Sequence, residues 1–223
     1  RLVGYLARPA EIKGPVPGVL VVHEWMGLND YAKRRAEQLA ELGYVALAAD
    51  IYGDGKVAAD VAEAKALSTQ YKSDRALLRA RTAAGLEALK AQAGVDPLQV
   101  AAIGYCFGGT AVLELARSGA DLAGVVSFHG GLDTPKVQDA RQIRAKVLAL
   151  HGADDPYVPA AQVTAFEDEM RAAGVDWQLI AYGGAVHGFT NPANGSDNSK
   201  GAAYNAKADQ RSWAAMRQFF NES

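Results

Sequence analysis

The stretch Gln99-Val100-Ala101-Ala102-Ile103-Gly104-Tyr105-Cys106-Phe107-Gly108-Gly109-Thr110 joins a short apolar run to a helical pattern through a glycine-flanked cysteine. An apolar run of this length reads as a strand covered on both faces. Glycines two residues either side of Cys106 let neighbouring backbone approach a strained strand-to-helix turn, which is the form of a nucleophile elbow with sulfur in place of the usual serine oxygen. At such a turn the thiol lies at a helix N-terminus, where backbone N–H groups and the helix dipole favour thiolate. A lone cysteine in apolar surroundings also reads as an inert buried residue; the strand-turn-helix context with its flanking glycines favours the reactive one.

Outward from this turn, apolar runs alternate with amphipathic stretches. Strands are expected at Gly18 to His23, Tyr44 to Asp50, Gln99 to Gly104, Leu122 to His129, Lys146 to His151 and Trp177 to Tyr182. Helices are expected at Tyr31 to Leu42, Val61 to Tyr71, Arg75 to Gln92, Thr110 to Ser118, Ala160 to Ala173 and Tyr204 to Phe220, with Asp30 capping the first. Gly43, Gly119 and Gly174 stand where left-handed C-terminal residues belong. Alternation of this kind predicts an α/β fold with a mostly parallel central sheet, helices on both faces and no large lid domain. With 223 residues, a single domain over 1–223 is expected. The segment Gly188 to Gly201 (GFTNPANGSDNSKG) reads as too polar to pack and as a mobile surface loop.

Composition removes several function classes. Lys+Arg 23 against Asp+Glu 25 leaves a net charge of −2, which gives no electrostatic footprint for nucleic acid. One cysteine excludes an internal disulfide, a CxxC redox pair and a cysteine-based zinc site, and no His-Glu-x-x-His or His-x-x-x-His pattern offers another metal site. No cofactor is expected. No apolar run approaches the 18 or so residues of a spanning helix, so no membrane partner is expected either. A free thiol suits a reducing cytoplasm, with a periplasmic or secreted location as the alternative because the sequence opens on Arg1. A monomer and a homodimer both fit.

Ligands of open α/β sheets bind beyond the carboxyl ends of the strands. There the chain offers Glu24, Cys106, Asp155 and His187. In His151-Gly152-Ala153-Asp154-Asp155-Pro156-Tyr157-Val158-Pro159, either aspartate could orient an imidazole; the D-x-x-V-P continuation favours Asp155, leaving Asp154 as a turn residue. His23, His129 and His151 end strands and read as packing histidines, whereas His187, in Gly183-Gly184-Ala185-Val186-His187-Gly188-Phe189, follows the acid in chain order. Nucleophile, acid, histidine is the order of α/β-hydrolases and of neither protease type.

Taken together, the chain resembles the dienelactone hydrolases (carboxymethylenebutenolidases), a cysteine-nucleophile branch of the α/β-hydrolases that includes members active on aryl esters and phosphotriesters. The resemblance spans nearly the whole chain and rests on His23-Glu24-Trp25-Met26-Gly27, Ala49-Asp50-Ile51-Tyr52-Gly53, the Cys106 turn, the Asp155 loop and His187-Gly188-Phe189. It implies hydrolysis of small activated or aryl esters and lactones. Cys106 would attack, His187 would carry the proton, Asp155 would orient it, and the N–H groups of Trp25 and Phe107 would form an oxyanion hole. It further implies that Glu24 contacts the resting thiol and tunes its ionisation. Trp25, Tyr52, Tyr105, Phe107, Tyr157 and Phe189 cluster in sequence around these motifs; Tyr52, Tyr105, Tyr157 and Phe189 are expected to line the substrate pocket. The chain departs from the founding members at Asn191, where an arginine that grips a substrate carboxylate is expected, and none of Arg75, Arg79 and Arg81 can be matched to a second such arginine. Dienelactone hydrolysis proper, a redox-active thiol enzyme and a non-catalytic binding module are the alternatives.

Overall fold

The computed structural model describes residues 1–222. Its strands are β1 (Tyr5–Ala7), β2 (Val16–Val22), β3 (Val45–Ala49), β4 (Val95–Tyr105), β5 (Gly124–Phe128), β6 (Lys146–Gly152) and β7 (Trp177–Tyr182). Its helices are α1 (Asp30–Glu41), α2 (Val61–Ser73), α3 (Arg75–Lys90), α4 (Phe107–Arg117), α5 (Ala160–Ala173) and α6 (Ala206–Asn221). Among the described residues the strands form one sheet in the order β1-β3-β2-β4-β5-β6-β7, parallel throughout except for β1, which pairs antiparallel with β3.

Both faces of the sheet are covered, which is why its strands are apolar without alternation. Along β2, Val19 and Val21 pack toward α1 and α6, while Leu20 and Val22 pack toward the layer of α2 to α5. Helix α1 turns Ala32, Ala36, Leu39 and Ala40 to the sheet, a 3.6-residue spacing of small and apolar groups. On the other face α4 is buried along its whole length.

The strands and helices expected from sequence are all present, with some shifted boundaries. Helix α1 is capped by Asn29 rather than Asp30, and Asn29 makes no side-chain cap bond; Asp30 is the first helical residue. Helix α4 starts at Phe107, three residues before the expected Thr110, because the entire turn out of β4 is made by Cys106 alone. Strand β1 was not expected: three residues carry too short a pattern, and its pairing is supplied by β3. Gly43, Gly119 and Gly174 do take positive φ (101°, 81° and 68°). The 188–201 segment is corrected in part: Gly188, Phe189, Thr190 and Asn191 are buried, and two short 3-10 turns, Pro192–Asn194 and Asn198–Lys200, follow them. No described helix is long and apolar enough to cross a membrane.

Candidate active site

Cys106 sits between β4 and α4 with φ 54° and ψ −115°, a conformation that costs a non-glycine residue about 1–3 kcal/mol. Its backbone is held from both sides: Cys106 N–H donates to Phe128 O (2.9 Å), and Cys106 O accepts from Gly109 N–H (3.0 Å). The flanking glycines are steric requirements. A Cβ on Gly104 would lie 2.0 Å from Gly108 O, and one on Gly108 would lie 2.1 Å from Val22 O and 2.7 Å from His23 O. Closing the turn therefore brings the start of α4 against the end of β2.

The two residues named from the later loops meet this thiol. His187 Nε2 stands 3.0 Å from Cys106 Sγ, and His187 Nδ1 stands 2.8 Å from Asp155 Oδ2. The other Asp155 oxygen accepts from Tyr157 N–H at 2.8 Å. A carboxylate can only accept from Nδ1, so the ring's proton lies there and Nε2 faces the sulfur. Burial alone would lower the His187 pKa; the Cys106 sulfur and the Asp155 carboxylate outweigh it and hold the imidazole well above its ordinary value. Asp154 is turned elsewhere: its Oδ2 accepts from Gly184 N–H (2.9 Å) and clamps the turn after β7.

The loop carrying His187 is anchored by groups far away in sequence. His187 N–H donates to Gly201 O (3.2 Å), and His187 O accepts from Ala203 N–H (3.1 Å). Thr190 Oγ1 bonds both Tyr31 Oη and His129 Nε2, and Thr190 O accepts from the buried Arg35 guanidinium, which is paired to Asp209 at 2.6 Å. Asn191 Oδ1 accepts from Ala193 N–H, which turns its Nδ2 toward the Glu24 carboxylate (3.1 and 3.4 Å). Tyr31, Arg35, Thr190 and Asp209 were not singled out by sequence; their polarity in a buried setting is visible only once the chain is folded.

The dienelactone hydrolase family pattern matches residues 2–223. The chain belongs to the dienelactone hydrolase family. Its structure superimposes with a TM-score of 0.95 on a dienelactone hydrolase-like promiscuous phosphotriesterase from metagenomic libraries, 49% identical, covering 99% of this chain and 92% of that one. It is 30% identical over 224 residues to the usf protein of Aquifex pyrophilus (98% of this chain, 92% of the relative). A Synechocystis protein provisionally named a carboxymethylenebutenolidase is 29% identical over 239 residues (99% and 91%). The chain is thus a hydrolase with the α/β-hydrolase fold.

Within that family setting, several expected site residues need relocation. The Glu24 side chain bonds Asn191, and among the described residues no hydrogen bond joins it to the Cys106 thiol. Burial raises its pKa, against the opposing pull of Asn191, His187 and Arg35. Tyr105 and Phe189 are fully buried in the layer of α1 and α6, so neither can touch a ligand at the sulfur. Tyr105 is the last residue of β4 and packs on the α1 and α6 side of the sheet, whereas Cys106, in the turn that follows, packs against the other side. Tyr157, 61% exposed, meets the His187 ring edge-on at 5.3 Å. Tyr52 is buried, and its hydroxyl donates to Trp25 O (2.7 Å). Neither Trp25 N–H nor Phe107 N–H has a partner among the described residues. Arg75 and Arg79 pair with Glu114, and Arg81 donates to Ile51 O. Among the described residues no group of three or more His, Cys, Asp or Glu could hold a metal ion.

Proposed function

We propose that the chain, as a single domain over residues 1–223, hydrolyses small neutral carboxylic esters, aryl esters foremost, through a Cys106-His187-Asp155 triad and a thioester intermediate. The observation that carries this is the bridging of His187 between Cys106 Sγ (3.0 Å) and the buried Asp155 carboxylate (2.8 Å). His187 Nε2 takes the thiol proton, and Sγ adds to the ester carbonyl carbon. The carbonyl π electrons move to oxygen, where the N–H groups of Trp25 and Phe107 receive the developing charge. As the oxyanion collapses, the C–O bond to the leaving group breaks and the imidazolium returns its proton to the departing oxygen. Water then gives a proton to Nε2 as its oxygen attacks the thioester, and acid leaves with Sγ restored.

Neutral substrates are favoured because Asn191 brings no cation to the site, while Arg75 and Arg79 are engaged by Glu114. Phosphotriester hydrolysis is a second activity of the same site, supported by the 49% identity to the metagenomic phosphotriesterase. There Sγ would attack phosphorus, aryloxide would leave, and water would release the phosphodiester. The test is p-nitrophenyl acetate and paraoxon hydrolysis by the wild type, Cys106→Ala and His187→Ala, with intact-mass detection of the adduct. Activity lost in both variants with an acetyl adduct on Cys106 is expected; full activity in Cys106→Ala would overturn the nucleophile assignment.

A further inference from the structure

His23, the residue after β2, is buried beneath the Glu24-Trp25 turn and has no place in the reaction sequence above. Both of its ring nitrogens are committed. Nε2 accepts from the Ile51 backbone N–H at 3.1 Å, which leaves the proton of the neutral ring on Nδ1. Nδ1 donates to Glu24 O at 2.6 Å. Burial lowers the His23 pKa to about 4, so this tautomer persists at neutral pH.

The Glu24 carbonyl and the Trp25 N–H belong to one peptide plane, and none of the peptide bonds among the described residues is cis. In a trans peptide the two groups point in opposite directions. Glu24 O also accepts from Gly27 N–H at 3.1 Å, and the shorter bond from His23 Nδ1 holds the carbonyl to the His23 side, which aims the unpartnered Trp25 N–H to the other. The following peptide plane is held as well, because its carbonyl, Trp25 O, accepts from the Tyr52 hydroxyl. The His23 ring also stacks on Phe107 (centroids 5.8 Å apart, planes at 20°), whose N–H is the second unpartnered donor. One imidazole thus touches the support of both.

We propose that His23 is a positioning residue of the hydrolase, its Nδ1–H bond to Glu24 O aiming the Trp25 N–H at the oxygen that gains charge during acylation of Cys106. It rests on the proposed roles of Cys106 and Trp25. The test separates the two ring nitrogens. His23→Asn places an amide N–H where Nδ1 stands and gives up the bond from Ile51; His23→Gln places an amide oxygen near Nε2 and gives up the bond to Glu24; His23→Phe gives up both. Two rates are read for each: acetylation of Cys106 by p-nitrophenyl acetate, which develops an oxyanion, and alkylation of Cys106 by iodoacetamide, which displaces iodide from a saturated carbon and develops none.

Acetylation is expected to slow by about 10- to 100-fold in His23→Gln and His23→Phe, less than outright removal of a donor, and to stay within about fivefold of wild type in His23→Asn. Alkylation is expected to stay within about twofold in all three. Should His23→Phe not fold, the Asn and Gln variants decide. Acetylation that is not faster in Asn than in Gln overturns the proposal, as does alkylation that falls in step with acetylation. A wild-type protein that is alkylated at Cys106 yet forms no acetyl adduct there overturns instead the catalytic roles on which it rests.

Discussion

Replacing Asp155 by asparagine perturbs the orientation of the imidazole while leaving the space around it filled. In the native site Asp155 Oδ1 accepts from Tyr157 N–H and Oδ2 accepts from His187 Nδ1, both at 2.8 Å. Asparagine has one acceptor oxygen. Tyr157 N–H can only donate, so the amide oxygen stays with it and the amide NH2 turns to His187. Two donors then face each other unless the imidazole moves its proton to Nε2, the nitrogen 3.0 Å from Cys106 Sγ. In that tautomer Nε2 cannot accept the thiol proton. The loss combines a charge-assisted hydrogen bond of about 1.5–3 kcal/mol with a base in the wrong tautomer. The corresponding change in a serine triad costs about 10⁴-fold, so acylation of Cys106 is expected to slow by about 10³- to 10⁴-fold, or ~4–5.5 kcal/mol of barrier. Stopped-flow release of p-nitrophenolate measures it, with a urea midpoint to show that the fold persists. Asp154→Asn, whose native partner is Gly184 N–H, is the matched control and should retain activity within about threefold. A folded Asp155→Asn protein less than tenfold slower than wild type would refute the assignment of Asp155 as the group that sets the tautomer.

Three further outcomes are expected. Because burial raises the Glu24 pKa, the folded state is penalised once pH rises through that value and not below the unfolded carboxyl pKa; Glu24→Gln should raise Tm at pH 7 and leave it unchanged at pH 4. His23 is shifted the other way, from 6.5 to about 4, so its contribution to stability is intact above pH 6.5 and is lost as pH falls toward 4; from that shift, urea unfolding should show this group accounting for about 3 kcal/mol across the window. Arg117, fully buried, pairs with Glu169 through Nε and Nη2 and with Glu114 through Nη1, so Arg117→Met strands buried carboxylate and should cost about 3–5 kcal/mol by urea unfolding, with turnover per folded molecule unchanged.

What could be seen in the sequence was whatever depends on neighbours along the chain. The Cys106 turn was legible because Gly104 and Gly108 are demanded by backbone two residues away, and that demand is written locally. The inner parallel strands were legible because burial on both faces imposes a continuous apolar run, while β7, at the sheet edge and partly exposed, showed a weaker one. Asp155 could be favoured over Asp154 only by the form of its loop; the reason for the choice, one aspartate reaching His187 and the other Gly184, is a matter of three-dimensional reach. Thr190 and Asn191 read as loop polarity because the groups that satisfy them, Tyr31, His129 and Glu24, lie 61 to 167 residues away. Adjacency to Cys106 suggests a pocket position for Tyr105, but as the last residue of β4 it packs into the α1 and α6 side of the sheet. Strand β1 has no pattern of its own; its partner makes it a strand.

Asn191 ties the electrostatics of the site together. Its amide oxygen is taken by Ala193 N–H, so what it offers Glu24 is a neutral donor. An arginine at this place would bring a full positive charge to the same carboxylate. Without it, burial prevails and the Glu24 pKa is raised, although the Asn191 amide, His187 and Arg35 pull the other way. The attacking state of the proposed mechanism places a thiolate beside an imidazolium, a pair of zero net charge, and a carboxyl disposed toward neutrality adds little repulsion to the sulfur. A substrate bearing its own carboxylate would add a negative charge with no cation brought by Asn191 to meet it, whereas an uncharged ester or phosphotriester adds none. Asn191 thus fails to grip an anion, and its neutral amide only partly offsets the burial that keeps Glu24 weakly acidic. A site without a cation at Asn191 and with a buried, weakly acidic Glu24 selects for the neutral substrates proposed for Cys106.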